Sequence, residues 1–152
     1  MNPQDAIVLA GPASLLPPFV AMMVLTALVW AYMYVRRLSY MLRHGVDAQR
    51  VNTPQKMAAT VPEDVEFASN NLKNLFELPV LFYAVCLLLL QMQWTTLADV
   101  TAAWVFVGFR ALHSLVHCTV NIVTVRFACY LGASLALWFM LAQVVRRVLA
   151  LG

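Results

Sequence analysis

The sequence predicts an all-α integral membrane protein built as a four-helix transmembrane bundle. Three observations carry this. Of its 152 residues, 62% are hydrophobic and only 11% are charged, whereas a soluble domain carries about 25% charged residues. The mean hydropathy is +0.77. The apolar residues gather into four stretches, each near the roughly 20 residues that a helix needs to cross the hydrocarbon core. Such a composition excludes a soluble globular protein, a disordered chain and a nucleic-acid-binding module. The net charge of +3 is too small to argue for nucleic acid. The chain reads as one integral membrane domain, residues 1–152, with four spans and one substantial loop.

The first span covers about 15–36. No charge occurs from Ala6 to Val35, and the run closes on Tyr32, Tyr34, Arg36 and Arg37. Aromatic residues and Arg favour the membrane interface. The N-terminal Met-Asn-Pro-Gln-Asp has no basic segment, so it is not read as a cleaved signal peptide. Residues 38–65 are polar, with Gly45, Pro54, Pro62 and mixed charges, and form the long loop.

The second span covers about 67–92. Its first part is polar and its second part, from Leu78, almost wholly apolar. Pro79 lacks a backbone donor and crowds the carbonyl of Leu75, so a kink is expected just above the polar part. A short turn with Trp94 leads to the third span, about 98–121. The fourth covers about 125–146 and closes on Arg146 and Arg147.

Loop charge sets the expected orientation. Five Lys or Arg residues (Arg36, Arg37, Arg43, Arg50 and Lys56) fall in the first connection, and none in the N-terminus or the second connection. The positive-inside rule then places the 1–2 and 3–4 loops in the cytoplasm and both termini outside. Cys86, Cys118 and Cys129 are far apart and lie in apolar runs. They read as buried small residues rather than as a disulfide or zinc pattern.

Polar groups inside spans are costly, so each demands a reason. In the second span, the spacing of Asn70, Asn74 and Glu77 puts them on one helical face. Lys73 lies one turn below Glu77 and is placed to pair with it. These residues form either an emerging helix end or an inward polar face. In the third span, Arg110, His113, His117 and Asn121 fall within an arc of about 80° at 100° per residue. This stripe is either a structural network pairing Arg110 with Glu77 or a functional pocket. The His113–His117 spacing suits a shared ion, but only His44 remains as a further imidazole and no carboxylate follows nearby, so no metal is assigned. Arg126 opens the fourth span, where a cation opposes the helix macrodipole. It either snorkels to the interface or serves an anion or thiolate site.

Two stretches together resemble the MAPEG family, the membrane-associated proteins in eicosanoid and glutathione metabolism. One is Asn70-Asn-Leu-Lys-Asn74-Leu-Phe-Glu77-Leu-Pro79. The other is Arg110-Ala-Leu-His113 followed after twelve residues by Arg126. The run Phe-Glu-Leu-Pro-Val-Leu-Phe-Tyr is most similar to bacterial members, which implies a bacterial inner membrane. The resemblance spans about residues 15–148 and implies a homotrimer of four-helix subunits. It also implies that glutathione binds in a cleft between neighbouring subunits. Asn74 and Glu77 match positions that hold the tripeptide, and Arg126 matches the Arg near its sulfur. A cation there favours thiolate, the nucleophilic form. The candidate catalytic residues are Arg126, His113 and His117. The candidate glutathione-binding residues are Asn70, Asn74, Glu77, Arg110 and Arg37.

This chain departs from the family pattern at three places. Asn70 stands where glutathione-using members carry an Arg, Phe127 where the prostaglandin synthase has a Ser, and His117 where several members have a Tyr. Two functions follow as expectations. One is a glutathione- or other thiol-dependent transferase or peroxidase acting on lipophilic electrophiles from the bilayer, with His113 or His117 moving a proton. The other is a non-catalytic binding or assembly protein that retains the fold.

Overall fold

The computed structural model describes residues 14–151; the reading that the N-terminus is no cleaved leader falls outside them. Every regular element among the described residues is helical. α1 is Leu16–His44, α2 Pro54–Thr60, α3 Glu63–Leu75, α4 Leu78–Gln91, α5 Leu97–Cys118 and α6 Val123–Leu149, with a 3-10 turn at Ala48–Val51. α1, the α3–α4 pair, α5 and α6 are long and apolar enough to cross a membrane. The chain is thus an all-α, multi-pass membrane protein.

α1 begins with prolines in its first turn, where the missing N–H would be unpaired anyway. It continues past the basic rim to a left-handed Gly45, with φ 61°, whose N–H returns to Met41 O. Arg36 and Arg37 therefore stand on helix, and both reach α3. Arg36 pairs with Asp64. Arg37 grips both oxygens of Glu66 at 2.8 and 2.9 Å and donates to Ser69 Oγ at 2.8 Å. This forked geometry suits guanidinium and carboxylate. It ties the end of the first span to the start of the second.

The expected kink is a full interruption. α3 ends at Leu75 and α4 starts at Leu78, with Glu77 between them at φ −98° and ψ −104°. Pro79 falls in the first turn of α4, where it is tolerated. The break therefore sits below the proline, at Phe76 and Glu77.

α5 opens with a capping box. Thr96 Oγ1 accepts from Asp99 N, and Asp99 Oδ2 accepts from Thr96 N at 2.9 Å. Asp99 is fully buried and also receives Arg147 Nη2 at 3.0 Å. One carboxylate thus caps α5 and anchors the far end of α6. Along their length α5 and α6 approach closely at Gly132, where an added Cβ would lie 2.8 Å from the Phe109 ring. Phe82 and Phe106 stack at 4.4 Å in the core with Met22, Leu89, Leu137 and Met140. Leu28, Trp30, Trp104 and Trp138 face outward, as lipid-facing side chains do.

Candidate functional site

The polar stripe of the third span meets the start of α6. Arg110 has no exposed surface. Its Nη2 donates to the backbone carbonyl of Asn74 at 2.7 Å, and its guanidinium lies 5.8 Å from the centroid of the Tyr130 ring. One turn on, His113 Nδ1 lies 2.9 Å from Arg126 O. A carbonyl only accepts, so Nδ1 carries the hydrogen and Nε2 of the neutral ring carries the lone pair. The rings of His113 and His117 stand edge to face, 5.5 Å apart. Arg126 is half-buried and donates from Nη1 to Asn121 Oδ1 at 2.6 Å.

These contacts leave much of the group's hydrogen-bonding capacity unused. Among the described residues, Arg110 Nε and Nη1, His113 Nε2, His117 Nδ1 and Arg126 Nε are buried without a partner. Leaving a buried donor or acceptor unsatisfied costs about 1–3 kcal/mol, and more when it is charged. Open guanidinium donors beside a ring nitrogen with a free lone pair suit a ligand that gives up a proton and becomes an anion.

The structure revises several expected partnerships. Asn121 does not lie on the third span, because α5 ends at Cys118. It occupies the following turn at φ 53°, a conformation that Asn tolerates, and from there it holds Arg126. The expected Glu77–Arg110 pair is not formed within the chain; Arg110 takes the carbonyl of Asn74 instead. The helix break leaves Glu77 exposed. Lys73 does not pair with Glu77 either, and donates to Asn70 Oδ1 at 3.1 Å. Asn70 is exposed and Asn74 half-buried. Arg37 belongs to the Glu66–Ser69 clamp, and no hydrogen bond among the described residues joins it to the Arg110 group.

Three residues of the site went unread in the sequence. Asn71, next to the residues that were chosen, is fully buried. Its Nδ2 donates to Cys118 Sγ at 3.4 Å and its Oδ1 accepts from Ser114 at 3.4 Å. Cys118, expected as a buried small residue, is instead half-buried and accepts the bond from Asn71. Tyr130 lies four residues beyond Arg126, on the same face of α6, with its ring 5.8 Å from the Arg110 guanidinium and 6.2 Å from the His113 ring. Helical spacing from Arg110 and Arg126 is the signal that identifies Ser114 and Tyr130.

A family model described as the MAPEG family matches residues 15–146. No curated protein and no solved structure matches the chain.

Proposed function

The chain belongs to the MAPEG family, and from that premise we propose that it is a glutathione-dependent, or other thiol-dependent, transferase or peroxidase acting on lipophilic electrophiles from the bilayer. The observation that carries the reading is the convergence of Arg110, His113, His117 and Arg126 at one end of the bundle, with five nitrogens buried and unpartnered among the described residues. Glutathione fits this set because it brings an ionisable thiol and two carboxylates.

The roles follow from the chemistry of each residue. Glutathione supplies the nucleophilic sulfur. Arg126, half-buried and tethered through one nitrogen among the described residues, stabilises negative charge on that sulfur. His113 accepts the thiol proton at Nε2, since Arg126 O holds its hydrogen on Nδ1. His117, ring to ring with His113, passes the proton onward. Arg110 offers its open donors to a carboxylate. Asn70, Asn74 and Glu77 bind the peptide's amide and amino groups at the rim. Arg37 enters only as the strut that positions α3.

We further propose a homotrimer in which neighbouring subunits cover the exposed Glu77. The 1–2 and 3–4 connections then lie on the cytoplasmic side of a bacterial inner membrane. A non-catalytic assembly role is favoured by one observation, the exposed Asn70 where glutathione users carry an Arg. Titration calorimetry of the detergent-solubilised protein separates the two. The enzyme reading expects saturable binding of glutathione and of its sulfonate analogue, whose permanent anion Arg126 also accepts, and weaker binding of S-methylglutathione, which cannot form a thiolate. Absence of heat with glutathione favours the assembly role.

A further inference from the structure

A cavity of about 260 Å³ opens between α1, the connection around α2, and α3, and none of its lining residues belongs to the Arg110 group. Its polar walls come from Arg37 on α1, Asn52 and Thr53 before α2, and Ser69 and Lys73 on α3. No carboxylate lines it, and the side-chain acceptors at or beside it already hold hydrogen bonds. Both Glu66 oxygens are taken by Arg37, Asn52 Oδ1 by Lys56 Nζ and Asn70 Oδ1 by Lys73 Nζ. Donor capacity remains. Arg37 Nη1 makes no hydrogen bond among the described residues and is not buried. An ammonium has three hydrogens, and Lys73 makes one hydrogen bond among the described residues. The hydroxyls of Ser69 and Thr53 each accept one hydrogen bond and donate none among the described residues.

From this asymmetry we propose that the cavity binds a phosphate group. A cavity walled by two cations and two hydroxyls, with no carboxylate among its lining residues, favours a ligand that accepts. A carboxylate offers about four lone-pair sites in one plane. The donors here approach from three segments of the chain, which suits a tetrahedral oxyanion better. Glu66 cancels the charge of Arg37, so Lys73 supplies the uncompensated cation. Val51, Pro54 and Met57 complete the wall and give an organic substituent on the phosphate an apolar surface. The position at the helix ends is where lipid headgroups lie, and basic residues there attract anionic lipids. The phosphate is therefore either a lipid headgroup or a soluble phosphomonoester. The proposal stands apart from the thiol reading and survives its failure.

The test uses the full chain with glycerol 3-phosphate by calorimetry, and with phosphatidylcholine nanodiscs with or without phosphatidic acid by thermal unfolding. Wild type should bind glycerol 3-phosphate if the source is soluble, or unfold at higher temperature with phosphatidic acid alone if the source is lipid. Lys73→Gln should weaken either effect about tenfold or more, the scale of a lost hydrogen bond to a charged group. Lys73→Arg should restore it. Arg43→Gln removes the same charge from an exposed site outside the cavity and should change nothing. Failure of both ligands, or equal loss in Arg43→Gln and Lys73→Gln, overturns the proposal.

Discussion

At the scale of single residues, burial separates neighbours that sequence treats alike. Asn70 and Asn71 are chemically identical, yet one is exposed and the other has no exposed surface. Asn71→Ala strips partners from Ser114 and Cys118 and should cost about 1–3 kcal/mol. Asn70→Ala should stay within about 0.5 kcal/mol, as exposed substitutions do. Thermal unfolding of both variants reads the difference. The same contrast shows what sequence could and could not supply. The face spacing of Arg110, His113 and His117 was legible, because helical period alone brings them together. The partner of Arg110 was not, because pairing it with Glu77 assumed a continuous helix. A backbone carbonyl, which has no sequence signature, took that place.

At the scale of elements, the break between α3 and α4 and the contact between α5 and α6 set the site's shape. Pro79 announced a disturbance, but placing the break at Phe76 and Glu77 required the three-dimensional path of the chain. The four spans were legible because crossing the hydrocarbon core demands long, largely apolar stretches. α2, seven residues within the polar connection, carries no such demand and left no comparable signal. Gly132 lets α6 approach Phe109. Gly132→Ala forces that ring outward and should destabilise by about 1 kcal/mol, the low end for overpacking, since the ring lies at the bundle surface. Adding Phe109→Leu should recover part of the loss, a coupling that a double-mutant cycle measures directly.

At the scale of the whole molecule, one end of the bundle carries the polar group around Arg126 and the other end carries the Asp99–Arg147 anchor. The proposed orientation puts the Arg126 end in the cytoplasm. A single cysteine replacing Gln49, in a background without Cys86, Cys118 and Cys129, should react only with reagents admitted to the cytoplasmic side. Labelling from outside intact cells would reverse the orientation. The proposed trimer predicts three chains per particle in detergent-corrected light scattering; a monomer that still binds glutathione would remove the inter-subunit cleft.

The central claim is that Arg126 holds a thiolate. Its most direct test is the ultraviolet difference spectrum of glutathione bound to wild type and to Arg126→Leu at neutral pH. Each 1.4 kcal/mol of lost stabilisation lowers the thiolate-to-thiol ratio about tenfold. The account predicts a thiolate band in wild type that falls sharply in Arg126→Leu, with the fold retained. A bound wild-type complex without that band, or a band of equal strength in Arg126→Leu, would contradict it.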